Sequence, residues 1–472
     1  MTPSEENFRD SISTVNKSGK RVWLYPKMPE GFYYNRRKIA AFFLCAFLLG
    51  GAFIHINGRQ LFLFNIIDRK FNFFGQPFWA QDFHLLGILM LIGVVFIIVF
   101  TVGYGRLFCG WVCPQTVFLE MIFRPIEYWI EGNRGAQKRL DKQPWNGEKI
   151  RKKTLKWSIF FIISFLISNI FLAYIVGSKA LLGYIIAPQA HVKTLVYLLI
   201  FTVIFYFVFA WFREQVCVIA CPYGRLQGVL LDQHSVVVAY DYKRGEKEKG
   251  RAKFNKREDR KTSGKGDCID CGQCVDVCPT GIDIRNGTQL ECVNCTACMD
   301  ACDHIMRAVN LPDKLIRYTS ENAILNPKAN QWTPRLKSYT AVLGALIITF
   351  FVLLFSRNAI EATFLRIPGQ LYSQEKESRA IKNVYTYKLV NKTTEAFKDL
   401  EFKLLNKDGK IYDVTQKSIT LGKSEIQDGT VFIEIQNADW EGETLKLKIG
   451  IFSQGKHIET ASVRFIGPRM YK

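Results

Sequence analysis

The chain has 472 residues, of which 49% are hydrophobic, and its 63 Lys and Arg residues against 42 Asp and Glu residues give a formal net charge of +21. This apolar content excludes a disordered chain, and 13 Cys residues are too few for a disulfide-stabilised scaffold of this length. The length predicts about three structural units. High apolarity and strong basicity together indicate apolar blocks separated by basic blocks, a pattern typical of proteins of the bacterial inner membrane.

Apolar blocks occur five times along the chain. The first run, residues 39–57, follows a polar N-terminal tail, 1–38, and His55 is its one basic side chain. The other four runs carry no charged side chain: residues 85–105, 157–177, 194–212 and 338–356. Each run has about the 20 residues that span a bilayer. We therefore predict an α-helical bundle of about five spans, with four in residues 39–230 and the fifth in 338–357. The polar first segment predicts no cleavable signal peptide.

Basic residues are concentrated in three segments, and this distribution predicts the orientation. Residues 1–38, 131–156 and 241–266 hold eight, nine and eleven Lys or Arg residues, and basic loops of this kind stay on the cytoplasmic side. The N-terminus and the segment before the fifth span are therefore expected in the cytoplasm, and the residues after 357 in the periplasm. Because no recognition fold accompanies the charge, nucleic acid is not an expected partner.

The cytoplasmic segment 231–337 contains the most specific motif, two successive Cys-x2-Cys-x2-Cys-x3-Cys runs within residues 268–302. Bacterial ferredoxins have this spacing, in which three thiolates of one run hold one cluster and the fourth holds the other cluster. A structural zinc site would favour two pairs of cysteines that are widely separated in the sequence. The expected ligands of the first [4Fe–4S] cluster are Cys268, Cys271, Cys274 and Cys302. Those of the second cluster are Cys292, Cys295, Cys298 and Cys278. We therefore predict an inserted ferredoxin-like domain with two clusters.

A second cysteine motif, Cys-x3-Cys-Pro, occurs twice, each time after an apolar run. Cys109 and Cys113 follow the second run, and Cys217 and Cys221 follow the fourth. A spacing of four predicts that both sulfurs of a pair share one helix face, and the following proline predicts a kink or break. Such thiols suit Cu(I), zinc or an iron–sulfur centre, or they cycle between dithiol and disulfide. Buried, inert cysteines are the alternative.

Two histidines extend this repeat. His84 lies 25 residues before Cys109, and His191 lies 26 residues before Cys217. In a helix this separation is roughly 37 Å, so each repeat has a histidine at the outer end and a thiol pair at the inner end. A haem, quinone or metal site at the histidines is one hypothesis, and histidines that lie at the membrane interface without a ligand are the other.

Polar side chains continue on the same predicted helix face as the first thiol pair. Thr116, Glu120 and Glu127 fall in one narrow stripe at 100° per residue, and Arg124 borders it. These charges would tune the thiols or hold a partner ion. A plain amphipathic helix at the membrane surface explains the pattern equally well.

The last segment, 358–472, contains no cysteine. Short alternating runs such as 384–390 and 445–451 predict strands, and turn signals such as 406–409 and 453–455 separate them. About seven strands in residues 378–472 predict an all-β, immunoglobulin-like sandwich. No catalytic set is visible in this segment, so its expected role is contact with a partner in the periplasm.

Several of these motifs together resemble one family. They are the 25–31 region (Tyr-Pro-Lys-Met-Pro-Glu-Gly), the 108–114 stretch, the 217–225 stretch (Cys-x3-Cys-Pro-Tyr-Gly-Arg), the twin ferredoxin runs and the C-terminal β-domain. In this order they resemble the FixG/CcoG group of polyferredoxin-like cytochrome oxidase accessory proteins. The resemblance implies a cupric reductase that supplies Cu(I) during assembly of a cbb-type haem–copper oxidase. It also implies that the four Cys-x3-Cys thiols are the redox or copper-handling groups.

Two other functions are compatible with the same motifs. Subunits of quinol dehydrogenases share the Cys-x3-Cys-Pro and ferredoxin motifs, and an assembly scaffold could use the clusters only to sense redox state. The expected partners are subunits of the oxidase or copper-delivery proteins. The electron donor, a further haem, flavin or quinone, and a homo-oligomeric state are left open by the sequence.

Overall fold

The computed structural model describes residues 14–16, 18–56, 58–66, 70–78, 82–255, 260, 263–326, 332–369, 372–374, 380–393, 395–414, 419–423, 425–436 and 444–468. The chain divides into two compact units. The first comprises the chain up to Ala52, Ile88–Ala173 and Gly177–Ile348. The second comprises Phe53–Gly87, Tyr174–Val176 and the chain from Thr349 onward.

Four helices of the described ranges are long and apolar enough to cross a membrane: Phe83–Tyr104, Gly147–Val176, Val192–Phe212 and Pro334–Phe355. They contain the second to fifth predicted spans. At most 33% of the apolar window of each helix is buried inside the protein. A helix that is apolar on all sides and mostly uncovered by protein is typical of a membrane span.

The first predicted span, residues 39–57, is not among these four helices. It falls on helix Phe32–Gly50, which begins with Arg36, Arg37 and Lys38 in its first two turns. After Gly50 the chain turns and enters the short strand His55–Ile56. Four of the five predicted spans are therefore confirmed. The first stays a prediction, because its apolar run is divided between a helix, a turn and a strand.

The helices of the first unit change geometry around both Cys-x3-Cys motifs. After the span Phe83–Tyr104 come Leu107–Trp111, Pro114–Phe118, the π-helical turn Leu119–Phe123, Arg124–Glu131 and Arg134–Lys142. After Gly147–Val176 come Ser178–Ile186, the 3-10 turn Pro188–His191, Val192–Phe207, two π-helical turns, Val208–Phe212 and Val216–Ala220, and then Pro222–Leu230. Single π-helical turns within helices occur frequently at functional sites.

Aromatic side chains fix these helices to one another. Phe118 and Phe123 from the first repeat pack with Phe160 of the long span and with Phe209. The rings of Phe123 and Phe209 stack with centroids 4.8 Å apart. Each such pair stabilises by about 0.5–1.5 kcal/mol beyond its buried area. The two repeats therefore share one apolar core.

The ferredoxin region has a small core of its own. Strands Val237–Tyr240 and Ile316–Thr319 pair antiparallel, and the helices are Tyr242–Glu246, Gln273–Asp276, Ile284–Asn286 (3-10), Ala297–Ala308 and Glu321–Leu325. Met299 and Met306 are buried between them. The Asp300 carboxylate accepts hydrogen bonds from the N–H groups of Tyr33 and Tyr34 at 3.1 and 2.8 Å. It thereby satisfies the free N–H groups at the start of helix Phe32–Gly50.

The second unit contains an antiparallel β-sandwich. One sheet has the strand order Lys410–Asp413, Ile426–Ile435, Ile381–Asn391 and Ile360–Arg366, with Ser373–Gln374 also paired to Ile381–Asn391. The other has the order Ile419–Leu421, Phe397–Leu404, Thr444–Ser453 and Lys456–Ile466. Inward side chains such as Tyr385, Ile433, Ile449 and Phe465 are at most 1% exposed, which is the alternation a sandwich requires.

Residues of the predicted first outer loop join this second unit. Strands His55–Ile56 and Arg59–Gln60 pair, and Phe62–Asn65, Lys70–Phe73 and Gln76–Phe78 form a small sheet. Asp82, at 2% exposure, pairs with Arg357 and with Lys392, the latter at 2.7 Å. These buried ion pairs connect the loop to the β-sandwich.

Candidate electron-transfer and thiol site

The eight cysteines of the twin runs fall into two groups in space. In each group, three thiols come from one run and the fourth comes from the other run, as the predicted exchange of ligands requires. The first group is Cys268, Cys271, Cys274 and Cys302. The second group is Cys278, Cys292, Cys295 and Cys298. The assignment of these groups as ligands stays a prediction.

The backbone around both groups has the same unusual conformation. Asp270 and Gly272 flank Cys271 with φ of 50° and 68°, and Asn294 and Thr296 flank the corresponding Cys295 with φ of 54° and 66°. Left-handed residues in such loops turn N–H groups toward one side and form concave anion sites, which iron–sulfur centres use. Asp, Asn and Gly tolerate this conformation best, whereas Thr296 adopts it at a cost of about 1–2 kcal/mol. Both loops are therefore shaped to receive an anionic group.

A cavity lies among the second group of thiols. All four of its cysteines line this cavity, together with Cys274 of the first group, apolar side chains, and the polar residues Thr280, Asn294 and Thr296. Burial raises the pKa of Cys292 to about 12 and that of Cys295 to about 11. These thiols must lose protons when they bind iron, so cluster insertion releases protons. The donors and the apolar walls fit a [4Fe–4S] cluster, which would supply one-electron transfer.

The two Cys-x3-Cys motifs differ from the predicted geometry. Helix Leu107–Trp111 contains Cys109 but ends before Cys113, whose φ and ψ are −58° and 123°. Cys221 is likewise extended, and each following proline begins a new helix. The prediction that each pair shares one helix face is therefore wrong, because the proline that breaks the helix excludes the second cysteine from it.

The four thiols nevertheless form one site. Cys109 lies within electrostatic range of Cys113 and Cys221, and Cys217 lies within range of the other three. Burial raises the pKa of Cys109 to about 11 and that of Cys217 to about 12. We call this set, Cys109, Cys113, Cys217 and Cys221, the four-thiol site. Cys109 and Cys217 are therefore protonated at neutral pH until a soft metal ion displaces their protons.

Two further polar side chains complete the four-thiol site. Gln227 is fully buried, and its Nε2 lies 3.4 Å and its Oε1 3.5 Å from the Cys109 Sγ. Thr116 lies beside Cys113 and Cys217 and is 5% exposed, and its buried hydroxyl has no hydrogen bond of regular geometry. The sequence analysis did not identify Gln227, because it belongs to no recognisable motif and only its position six residues after Cys221 relates it to the thiols.

Within the described residues, no three His, Cys, Asp or Glu side chains surround a position for a single ion. A cluster of four irons separates its thiolates more widely than one ion does, so the twin runs are not in conflict with this result. Tight binding of one ion by the four-thiol site requires its side chains to move together.

The four-thiol site is packed against the loop of the second cluster. A Cβ atom on Gly110 would lie 2.5 Å from the carbonyl oxygen of Val293 and 2.7 Å from that of Asn294. Trp111 Nε1 donates to the Tyr318 hydroxyl at 3.0 Å, and this hydroxyl donates to the Asn294 carbonyl at 3.4 Å. The loop of Cys109 and Cys113 is therefore in backbone contact with the loop of the second cluster, and a short hydrogen-bonded chain also connects them.

Buried guanidinium groups reinforce this junction. Arg37 Nε donates to the Gly110 carbonyl at 2.7 Å. Arg106 donates to the carbonyls of Leu290 and Gly224. It therefore joins the first repeat, the second repeat and the ferredoxin region. Hydrogen bonds from charged donors are among the stronger ones in proteins.

The acidic stripe predicted beside the thiols has a different role. Glu120 pairs with Arg124 at 2.8 Å, and Glu127 pairs with Arg213 at 2.8 Å and with Lys156 at 3.3 Å. Burial by itself would raise the pKa of Glu127, but Arg213 and Lys156 hold this pKa well below its usual range. These charges join the first repeat to the long span and to the second repeat, so they support the site rather than hold an ion.

The two histidines lie in different compact units. His84 is exposed at the start of helix Phe83–Tyr104. His191 ends the 3-10 turn Pro188–His191, and its ring lies 4.0 Å from that of Tyr184. A cofactor site at these histidines stays a prediction.

These features define a class: a multi-span membrane protein with a dicluster ferredoxin region and an immunoglobulin-like domain. Family models agree, with a 4Fe-4S dicluster domain over residues 212–321, a 4Fe-4S binding domain over 86–137 and the IG-like fold at the C-terminus of FixG over 350–468.

Comparison with known proteins identifies the family. The chain is 35% identical to protein RdxA of Cereibacter sphaeroides over 73% of its own length and 72% of that protein. It is 35% identical to RdxB of the same organism, over 71% of each chain. It is 34% identical to nitrogen fixation protein FixG of Rhizobium meliloti, over 64% of this chain and 58% of that one. The chain belongs to the FixG/RdxA/RdxB family.

A solved structure, of a FixG-related protein from Vibrio parahaemolyticus, also matches. It is 19% identical, covers 23% of this chain and 97% of its own, and has a TM-score of 0.19.

Proposed function

We propose that this iron–sulfur protein is a cupric reductase that forms Cu(I) at the four-thiol site for assembly of a cbb-type haem–copper oxidase. The observation that carries this proposal is the packing of the Cys109–Cys113 loop against the loop of the second cluster. A reduced [4Fe–4S] cluster held by Cys278, Cys292, Cys295 and Cys298 would supply the one electron that converts Cu(II) to Cu(I), and the cluster would itself be oxidised by one electron.

The chemistry of the donors supports copper as the substrate. Cu(I) is a soft ion that prefers thiolate ligands, and the four-thiol site offers four sulfurs with few competing oxygen ligands. Because burial keeps Cys109 and Cys217 protonated at neutral pH, bound copper displaces their protons. Movement of the four thiol side chains around the copper ion would then link copper binding to copper release.

The membrane topology is part of the proposal. The basic loops favour a cytoplasmic ferredoxin region and a periplasmic β-domain. The chain up to Ala52 belongs to the ferredoxin unit, and Phe53–Gly87 belongs to the β-domain unit. In this topology helix Phe32–Gly50 also crosses the membrane, with its basic first turns at the cytoplasmic surface. The expected partners are oxidase subunits or copper-delivery proteins.

An anaerobic copper assay tests the function. The purified protein is reduced with dithionite, the excess is removed, and Cu(II) is added with a chromophoric chelator specific for Cu(I). We expect Cu(I) from the parent protein and a large loss when the four-thiol site is changed to serine, with unchanged iron content. Cys45→Ser is the matched control, because this thiol packs against the apolar core and belongs to neither motif. Absence of Cu(I) from the fully reduced parent would favour a quinol-linked or scaffold function.

A further inference from the structure

We propose that a small acidic one-electron carrier protein delivers electrons to the first cluster at a basic surface beside Cys271. The inference rests on the electron-transfer role proposed above and names the class of donor. Its basis is a difference between the two groups of cluster cysteines in access to solvent. Cys271 is exposed, whereas the other seven cysteines are buried or half-buried. Electrons can therefore enter at the first group and leave from the second group, which adjoins the four-thiol site.

Basic side chains lie on two sides of the loop that carries the exposed thiol, and the neighbouring carboxylate of Asp270 is paired with Arg285. The Ala252 N–H donates to the Cys268 carbonyl at 3.4 Å, which places the flanking Arg251 and Lys253 at the first cluster. On another side, Lys27 Nζ donates to the Gln273 side chain at 3.2 Å, two residues from Cys271. We call the exposed residues Lys27, Lys249, Arg251 and Lys253 the basic rim.

Charge in this region is neutralised only in part, since Arg244 and Lys247 pair with Asp267 at 2.9 and 3.3 Å. Residues 243–253 contain six basic and two acidic side chains. Arg251 pairs with Glu246 at 3.5 Å, whereas Lys249 and Lys253 make no ion pair among the residues that the structure describes. Surfaces of one sign accelerate association with a partner of opposite charge by about 10- to 1,000-fold at low salt. The basic rim therefore suits an acidic protein, such as a ferredoxin or a flavodoxin.

The surroundings of Cys271 favour a soluble donor over a lipid-soluble one. Its neighbours in the chain are Asp270, Gly272 and Gln273, which are polar or small. A quinol would need an apolar pocket. In the proposed step, the reduced carrier loses one electron and the first [4Fe–4S] cluster gains it, and no proton or bond is exchanged.

Stopped-flow reduction of the clusters by a reduced plant-type [2Fe–2S] ferredoxin tests the inference. The protein is held in phosphatidylcholine nanodiscs, and no copper is present, so failure here and failure of copper reduction are distinguishable. We expect the second-order rate to fall with increasing salt, and to fall about tenfold at low salt in Lys249→Glu/Lys253→Glu. Lys446→Glu/Lys448→Glu changes the net charge equally at exposed positions of the β-domain and should leave the rate unchanged. Reduction by methyl viologen radical should be equal in all three proteins.

Three results would overturn the proposal. One is an equal ferredoxin rate in the two double variants. The second is an equal slowing of methyl viologen reduction in the rim variant, which would mean a damaged cluster. The third is an unchanged ferredoxin rate combined with lost binding to phosphatidylglycerol vesicles, which would assign the basic rim to lipid.

Discussion

Gly110 lies at the junction between the four-thiol site and the loop of the second cluster. A methyl group added at this position tests whether the close packing of the two loops matters for stability and function. In Gly110→Ala, the new Cβ would lie 2.5 Å from the Val293 oxygen, about 0.9 Å closer than the 3.4 Å at which ordinary contacts begin. The opposing atoms are backbone, so the two loops must separate by several tenths of an ångström. Overpacking of this kind costs about 1–3 kcal/mol. The gain in helix propensity of about 1 kcal/mol offsets only part of this cost.

Gly135→Ala is the matched control, since Gly135 also lies in a helix and its Cβ would meet no atom within 4 Å. We expect the control to be stabilised by about 1 kcal/mol. Gly110→Ala should therefore be about 1–3 kcal/mol less stable than the control, which corresponds to roughly 1.5–5 °C in thermal midpoint for a unit of about 300 residues.

Function should be more sensitive than stability. A displacement approaching 1 Å lowers rates by up to about 100-fold in well-oriented sites, so we expect Cu(I) formation to fall about tenfold while iron content and ferredoxin-driven reduction persist. Differential scanning fluorimetry and the copper assay measure the two effects. If Gly110→Ala and Gly135→Ala had the same thermal midpoint and the same rate of Cu(I) formation, the two loops would not be packed as the proposed function requires.

Three further changes have expected outcomes. Gln227→Leu removes a hydrogen bond that lowers the pKa of Cys109, whereas burial raises it. Without this hydrogen bond the pKa rises and less thiolate is present near pH 9. Alkylation of Cys109 by iodoacetamide, measured by mass spectrometry, should therefore slow. Glu127→Gln removes the nearer buried carboxylate from Arg213, which keeps its longer pair with Glu214 at 3.7 Å, and should cost about 3–5 kcal/mol. The pKa of Glu127 is lower in the folded protein than in the unfolded chain. The ionised carboxylate therefore stabilises the fold above the unfolded pKa of about 4.3, and this stabilisation is lost as the pH falls below that value. The thermal midpoint of the parent should drop on acidification, and the midpoint of Glu127→Gln should drop less. Asp82→Asn should destabilise the β-domain unit by about 3–5 kcal/mol, measured by limited proteolysis.

Each of these changes has a discriminating comparison. Gln227→Met keeps the length of the side chain but also removes the N–H donor, so unchanged alkylation in Gln227→Met beside slow alkylation in Gln227→Leu would indicate a packing defect. Glu401→Gln breaks an exposed pair with Lys403 and should cost under about 1 kcal/mol. If Asp82→Asn and Glu401→Gln gave equal proteolysis, the buried ion pairs of Asp82 would not carry the assigned stability.

Much of the architecture followed from sequence because its causes are local. A charge-free run of about 20 residues determines a span wherever it occurs, and the Cys-x2-Cys-x2-Cys-x3-Cys spacing determines a cluster loop. Alternating apolar residues likewise predicted the β-sandwich of the second unit. The first predicted span stays a prediction, because the apolar run 39–57 is interrupted by a turn after Gly50.

The meeting of the two Cys-x3-Cys motifs required the tertiary structure. Local spacing predicted two thiols on one helix face, whereas the proline after each motif ends the helix and leaves the second cysteine outside it. The site then depends on contacts between residues far apart in the chain, such as Gln227 with Cys109 and Asn294 with Gly110. Sequence alone determined which residues can bind metal and cross a bilayer, because those are properties of side chains and short segments. Their assembly into one pathway depended on long-range packing, which no local pattern encodes.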